Sequence, residues 1–386
     1  MTAPWKQRFP KEFRLVPEHG LHARVISDTS DLLSLRAEWD DLYRRAENPR
    51  LSQSFEWAWS VWSNLAQPNG GRLRTVVVRR SGRLVLVWPM VVTRHRRLWS
   101  IATSLATPED YATDMLAEPA PDLFAIASRA WRELRDGCKV DFIRLERVRA
   151  GSLLERAVLG DEWRQVAAQT SPWLAHDAYP DWQSYWKSRG KSLRERVDRL
   201  HRRLCEQGQV SFRKSSSPDE TKAIIRWTLE RKKEWLIRKK ARSRTIESDL
   251  YANLLMKACD GLKTFGNIAG FTLTCNGEII AAQISLVDRS LVENIHIAFD
   301  EKFKRFTPGI VLDKHVLQWT IDNHLSYDFH FGIDDRKRRL ASASCGLVTC
   351  HLYLSAWGSA YEYSRRAWYS RAAVQLRPLR ADAVRP

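Results

Sequence analysis

The chain has no CxxC pair, no run of about 18 apolar residues, and none of the short signatures GxSxG, HExxH or GxxxxGK(S/T). Each absence removes a class of protein. The missing CxxC pair argues against a zinc module and against a disulfide framework, and Cys138, Cys205, Cys259, Cys275, Cys345 and Cys350 read as reduced, mostly buried thiols. Without a long apolar run, no transmembrane segment is expected. The N-terminal MTAPWKQRFPKEFRLVP is basic at intervals and lacks an apolar stretch or cleavage-like site, so it does not read as a secretory leader and the expected location is cytoplasmic. Serine-elbow catalysis, HExxH zinc chemistry and P-loop ATP hydrolysis are disfavoured, and no metal is expected, because His315, His324 and His330 sit amid apolar residues without ligand spacing. Cys350 and His351 are adjacent, but neighbours on a strand point to opposite faces. With 17 glycines and 15 prolines in 386 residues, the chain is neither collagen-like nor low-complexity.

What remains is globular: 44% hydrophobic and 28% charged residues, in a length that suits about two domains. The formal net charge is +18, and it is unevenly spread. Lys187 to Arg244 holds 20 Lys and Arg against 7 Asp and Glu, a net of +13. Such a stretch is either a solvated helical face or a surface for an acidic partner, with tRNA and an anionic membrane surface as the candidates. Seventeen tryptophans are also present. Trp39, Trp57, Trp59, Trp62, Trp88, Trp99, Trp131 and Trp163 fall in the first half and suit a core or the lining of a groove.

Periodicity divides the chain into a lead-in (1–20), a first α/β unit (21–175), a second (176–365) and a basic tail (366–386). SPWLAHDAYP, Ser171 to Pro180, is the pause between the units. In the first, a strand at His22 to Ile26 precedes helices at Asp31 to Ala46 and Phe55 to Leu65. A hairpin then turns on Ser81-Gly82 between Arg74–Arg79 and Leu84–Thr93, followed by a helix near Leu123 to Leu134 and strands at Asp141–Glu146 and Arg164–Gln169. In the second, Trp182 to Glu206 reads as helix, Val210 to Arg213 as strand, and Pro218 to Leu262 as a helix pair broken near Ser243. A hairpin follows about Asn276-Gly277, the strongest short-range turn signal in the chain, then strands at Leu291–Phe299 and Val348–Trp357. Both units run strand, helices, antiparallel hairpin, helix, strand, which is a repeat of architecture without evident sequence identity.

The segment from Ala298 to Gly332, AFDEKFKRFTPGIVLDKHVLQWTIDNHLSYDFHFG, carries the clearest chemistry. Thr307 suits a helix cap, Pro308 the first helical position, and Gly309 lets a ligand approach the backbone. Free N–H groups at a helix start, reinforced by the helix dipole, attract an anion. Ile310, Val311, Val316, Leu317 and Ile321 recur at helical spacing, as one apolar stripe facing a sheet. On local pattern alone the segment is either an anion site or an ordinary βαβ unit.

The order of hairpin, strand, anion-binding turn, helix and strand resembles the GCN5-related N-acetyltransferase (GNAT) fold. With RxxRLHRRLxxxG at Arg196 to Gly208, NGEIIAAQISL, AFDEKFKRFTPG and YDFHFG, the chain is similar to the CelD-type acyltransferases of cellulose and exopolysaccharide biosynthesis, relatives of the Fem-type transferases with two GNAT-like domains. The resemblance implies tandem GNAT-like domains of α/β (α+β) class, each a mixed, largely antiparallel sheet flanked by helices. It also implies that acetyl-CoA or another acyl-CoA binds the second unit. The pyrophosphate signature of that fold, Arg/Gln-x-x-Gly-x-Gly/Ala, maps onto Lys304, Thr307 and Gly309, with Lys and Thr in place of the usual residues; Arg305, Pro308 and Ile310 complete the turn. Arg336-Lys337 stands where relatives have Tyr-Lys.

In that reading a backbone N–H of Ile295 to Phe299, with Ile297 and Phe299 beside the cofactor, polarises the thioester carbonyl. Glu293, His296 and Asp300 are the candidate bases, and Asp328 matches the family's Asp-Phe-x-x-Gly element. Strand alternation groups Glu293 with Ile295, Ile297 and Phe299, and His296 with Asn294, Ala298 and Asp300. Tyr361 and Tyr363 are candidate proton donors to the thiolate, and Asp300 can equally cap a turn. The expected function is direct acyl transfer to an amine or hydroxyl of a small-molecule or glycan acceptor. A Fem-type transfer from aminoacyl-tRNA and a non-catalytic binding protein are the alternatives.

Overall fold

The computed structural model describes residues 20–95, 98–107, 114–332 and 334–362. Its strands, in chain order, are β1 (Leu21–Ile26), β2 (Arg72–Leu73), β3 (Thr75–Arg80), β4 (Arg83–Trp88), β5 (Met90–His95), β6 (Trp99–Ser104), β7 (Leu116–Ala117) and β8 (Phe142–Arg149). They continue with β9 (Arg164–Leu174), β10 (Val210–Lys214), β11 (Gly266–Cys275), β12 (Glu278–Asp288), β13 (Leu291–Phe299), β14 (Ser326–Asp328) and β15 (Ala343–Tyr353). Most neighbours are antiparallel, and helices flank the sheets, giving the mixed α/β architecture expected. Residues 1–19 of the lead-in, the basic tail and Tyr363 lie outside the described residues.

Both expected hairpins form, each turning on two successive residues of positive φ: Ser81 at 49° and Gly82 at 84°, Asn276 at 51° and Gly277 at 82°. That pair of angles is the type I′ turn, whose twist matches the strands it joins. Leu84–Thr93, read as one strand, is two, because Pro89 cannot donate to a ladder and the chain passes there from one sheet to the other. The four-stranded sheet is ordered β1-β3-β4-β7; the other runs β10-β11-β12-β13-β14-β9-β15-β8-β6-β5-β2. Two pairs in the large sheet are parallel, β6 with β8 and β13 with β14, one from each half of the chain. The repeat of architecture is visible in that correspondence.

The halves are joined in a way the sequence does not announce. Strand β9 runs on through Pro172 to Leu174 and pairs with β14. Strand β15, from the C-terminal part, is antiparallel to both β8 and β9. One hydrophobic cluster also unites the two halves: Trp39, Phe55, Trp57 and Trp62 pack with Leu236, Tyr251, Leu254 and Ile284. Glu56, buried beside it, accepts hydrogen bonds from Thr264 Oγ1 at 3.0 Å and from the Lys263 amide at 3.2 Å. Trp88, Trp131 and Trp163 belong to a second core, so most first-half tryptophans pack the interior.

Helices differ in detail from the periodicity. Trp182 to Glu206 is two helices, Trp182–Ser188 and Lys191–Cys205, interrupted at Arg189-Gly190, whereas Pro218–Arg238 and Asp249–Gly261 break where expected. The helix Pro308–Asp322 is buried on more than one side, since Ile310, Leu312, Asp313, Val316, Leu317 and Thr320 are all enclosed. The sheet covers one flank and the helices Trp182–Ser188 and Lys191–Cys205 cover another, so the expected single stripe is too narrow.

On that helix, His315 stacks on Phe212 at 5.4 Å and meets His201 edge-on at 5.1 Å. Burial, reinforced by His201 and Lys314, pushes its pKa down to about 4. Below about pH 6.5 the unfolded chain binds a proton that the folded chain refuses, so this group costs stability as pH falls and nothing above neutrality. His315→Leu should therefore gain about 2 kcal/mol relative to the parent between pH 7.5 and pH 5. Urea unfolding at the two pH values measures it; an equal difference at both means that His315 carries no such penalty.

Candidate active site

Strands β13 and β14 are in register only at Leu291/Ser326, Val292/Tyr327 and Glu293/Asp328. Beyond that rung β13 continues to Phe299 on β12, while β14 stops at Asp328. The two parallel strands therefore part, leaving an edge of β13 over residues 294–299 with no strand against it among the described residues. Backbone N–H and C=O groups on such an edge are obligate hydrogen-bonding groups and suit a ligand that lies alongside as a further strand would.

A β-bulge occurs in the same stretch. His296 opposes Ile284 and Asn294 opposes Ser285, so Ile295 has no counterpart. One extra residue reverses the alternation beyond it. Glu293, opposite Leu286, and His296, opposite Ile284, consequently share the face that carries Ile284, Leu286 and Tyr251. Ile297 and Phe299 belong to the cluster of the helix Pro308–Asp322. The expected division, with Glu293 on one face and His296 on the other, is corrected by the bulge.

At the last paired rung, Arg50 holds both carboxylates. Its Nη1 lies 3.2 Å from Glu293 Oε1, and its Nη2 lies 3.2 Å from Asp328 Oδ2. Arg50 precedes the short 3-10 turn Leu51–Gln53, where its own N–H donates to Gln53 Oε1 at 2.9 Å, fixing where the side chain starts. Asp328 is 1% exposed; it also accepts from Ser171 Oγ at 2.8 Å and from the His330 amide at 3.1 Å. His330 has φ of 70°, an uncommon left-handed backbone for a non-glycine residue, directly after the point where the strands part.

His296 is enclosed, and its Nε2 lies 3.0 Å from the Tyr251 hydroxyl. Burial first, then the charges of Lys232 and His330, hold its pKa well below the ordinary histidine value, so the imidazole is neutral. Lys337, the residue of the Arg336-Lys337 pair that keeps the family's Lys while Arg336 departs from its Tyr, donates from Nζ to the carbonyls of His330 at 3.1 Å and Phe331 at 3.0 Å. Burial and the neighbouring Arg336 push its pKa down to about 8. No spacing rule reports a buried lysine of this kind.

The turn after β13 supports some of its expected roles and not others. Thr307 takes the left-handed conformation, φ 48°, at the head of the helix, and its side chain makes no cap bond. An N-cap side chain needs an extended backbone there, so the expected cap is corrected to a strained turn residue. The Ile310 amide is used within the turn, donating to Thr307 O at 3.1 Å. Pro308 has no N–H to offer. A Cβ placed on Gly309 would meet only Ile297 Cδ1, at 3.9 Å, so the space above that glycine is open. Lys304 Nζ is engaged with Glu301 at 2.7 Å, and Arg305 reaches Gln207 at 3.2 Å.

Two candidates fall away from the site. Asp300 accepts from the Lys302 amide at 2.9 Å and caps the Glu301–Phe306 segment, which uses its carboxylate structurally. Tyr361 stacks on Phe142 of β8 at 4.7 Å, beside Trp99 and His95. Strand β8 is four strands from β13, roughly 19 Å across the sheet, so a proton-donor role for Tyr361 at β13 is corrected. Glu293, His296 and Asp328 do gather where the strands part.

Arg50 also lines an open cleft of about 640 Å³ between the halves, together with Asp114, Arg149, Trp173, Leu291 and Ser326. Burial, offset by the amides of Leu154, Met115 and Leu153, pushes the Asp114 carboxyl up to about 6. Asp114 has no motif around it, and sequence reasoning passed over it.

Residues 191–338 match the family described as the acetyltransferase (GNAT) domain. Residues 191–338 thus carry a GNAT acetyltransferase domain, and the chain is an acyltransferase. Among solved structures it is similar to FemX, with 12% identity, a TM-score of 0.54, and coverage of 83% of this chain and 96% of that one. It is also similar to the C-terminal domain of a putative lysylphosphatidylglycerol synthetase from Agrobacterium fabrum, at 10% identity and TM-score 0.53, covering 86% and 95%. L-PGS from Bacillus licheniformis aligns at 12% identity and TM-score 0.53, covering 86% and 93%. At such identities the likeness is one of fold. No curated protein matches the chain.

Removing the cation from the shared pair should be costly. Arg50→Ala takes the guanidinium from buried Glu293 and leaves Asp328 with the more distant Arg149, whose Nη1 lies 3.7 Å from Oδ2, and should destabilise the protein by about 3–5 kcal/mol in urea unfolding; a loss under about 1 kcal/mol means that water or Arg149 replaces the guanidinium.

Proposed function

We propose that the protein transfers an acyl group directly from acyl-CoA to an amine or hydroxyl acceptor, with both substrates bound together. The observation that carries this reading is the parting of β13 and β14 beyond Glu293/Asp328, which leads along an unpaired strand edge to the open space over Gly309. The residues present fit the cofactor: the edge of 294–299 offers backbone groups to its amide-bearing arm, and Thr307 to Gly309 form the turn for its pyrophosphate. Acyl-CoA supplies the activated thioester; the rest belongs to the chain.

A backbone N–H of β13 meets the developing oxyanion. Neutral His296, oriented by Tyr251, accepts the acceptor's proton directly or through water, while Arg50 fixes the Glu293 and Asp328 carboxylates at the rung where the strands part. Lys337 is poised for the leaving thiolate, because a pKa of about 8 lies close to that of a thiol, so proton transfer between them is nearly balanced. The cleft lined by Arg50 and Trp173 is the acceptor's approach. A cell-surface glycan precursor, as in the CelD-type resemblance, is the acceptor class we favour.

Gly309→Val tests the cofactor turn. Its Cβ has room in the protein and no positive φ to strain, so the thermal midpoint should hold, whereas protection by acetyl-CoA at about 1 mM should disappear. Retained protection means that the pyrophosphate lies elsewhere. Protection of the parent by aminoacyl-tRNA and not by acetyl-CoA would replace this reading with aminoacyl transfer.

Lys337→Met should lower kcat at least tenfold and remove the alkaline limb near pH 8 from the pH profile of kcat, with KM for acyl-CoA little changed. An unaltered alkaline limb assigns it to another group.

A further inference from the structure

The helix Pro218–Arg238 ends in an exposed tip that the acyl-transfer reading does not use. Trp235 and Ile237 are 44% and 76% exposed there, and Ile237 is the most exposed large hydrophobic residue among the described residues. Trp235 makes no ring contact among those residues, unlike exposed Trp357, which stacks on Trp99 at 5.7 Å. Leu236 between them is buried in the core shared by the two halves and ties the tip to the body of the protein. Residues two apart on a helix are about 200° apart, so Trp235 and Ile237 stand on opposite sides of the last turn, and a surface covering both must be entered end-on.

Charge surrounds this apolar pair. Lys233, Lys239, Lys240 and Arg244 make no ion pair among the described residues. Arg238 is shared between Glu234 and Glu301, at 3.9 and 3.1 Å. Lys240 takes a left-handed backbone, φ 51°, and the Ala241 amide donates to Leu236 O at 3.0 Å, which stops the helix and folds the cationic loop around its end. Large apolar side chains ringed by lysine and arginine match an anionic lipid interface, where the cations meet headgroups and the apolar groups enter below them.

We propose that this tip, Trp235 and Ile237 with Lys233, Lys239, Lys240 and Arg244, docks the protein on anionic lipid membrane. A polynucleotide would use the same cations and could stack on Trp235, but it has nothing to offer Ile237; the membrane satisfies both. Glu301 links the tip to the segment leading into the Gly309 turn, so docking sets the entrance of the acyl-CoA site close to the lipid surface. The proposal goes beyond acyl transfer and stands whether or not CoA is the donor.

Cosedimentation of the full chain with vesicles tests it. The protein should pellet with phosphatidylcholine vesicles containing about one third phosphatidylglycerol and stay in solution with phosphatidylcholine alone. Part of the binding should survive about 0.5 M salt, where charges are screened within roughly 5 Å, and Trp235→Ser/Ile237→Ser should remove that part. Lys239→Glu/Lys240→Glu should lower partitioning at low salt about tenfold or more. All four side chains are exposed, so an unchanged thermal midpoint certifies each variant, and protection by acetyl-CoA, measured in parallel, reports on the transferase site independently. Failure to pellet, equal pelleting of Trp235→Ser/Ile237→Ser and the parent at high salt, or binding of bulk tRNA through these residues without vesicle binding would each overturn the proposal.

Discussion

One guanidinium holds the two halves at the point where the large sheet opens. Arg50 comes from the first half and Glu293 and Asp328 from adjacent strands of the second, and the pair sits on the last rung at which those strands remain bonded. Two carboxylates enclosed so closely repel each other unless a cation lies between them. The parting of the strands, and the cleft on the other side of Arg50, therefore depend on a contact between halves rather than on either half alone. Ser171, the His330 amide and Arg149, whose Nη1 lies 3.7 Å from Oδ2, also hold Asp328, leaving this rung a fixed base from which the strands diverge.

Legibility in the sequence followed the range of the interaction. The Asn276-Gly277 and Ser81-Gly82 turns were readable because the residues that need positive φ are adjacent in the chain. Strand β13 was placed to the residue, and the Pro-Gly helix start to its first turn, for the same local reason. The bulge at Ile295 was not readable, since a register shift is defined by the partner strand, and it changed which side chains lie together. Tyr361 was drawn towards the site by its place after the last strand; only the insertion of β15 beside β8 shows that it belongs to the other end of the sheet.

Site chemistry divided along the same line. Glu293, His296 and Asp328 are legible because they lie on or beside recognisable strands, whereas Arg50 and Asp114 come from segments without a motif, and Lys337, though it keeps a family position, acquires its character from burial. Lys337 has its pKa pushed down to about 8 and Asp114 has its carboxyl pushed up to about 6, both mainly by desolvation. A pattern in one dimension records residue type and spacing; desolvation is a property of the assembled interior.

Strand β15 has a consequence for how the molecule is made. Residues 343–353 leave the ribosome after nearly everything they pair with, yet they fill the gap between β8 and β9 that completes the large sheet. Until then the nascent first half presents two long strand edges with no mate, held apart for a segment still to be translated. Closure of the large sheet thus waits for a segment made nearly 180 residues after β9.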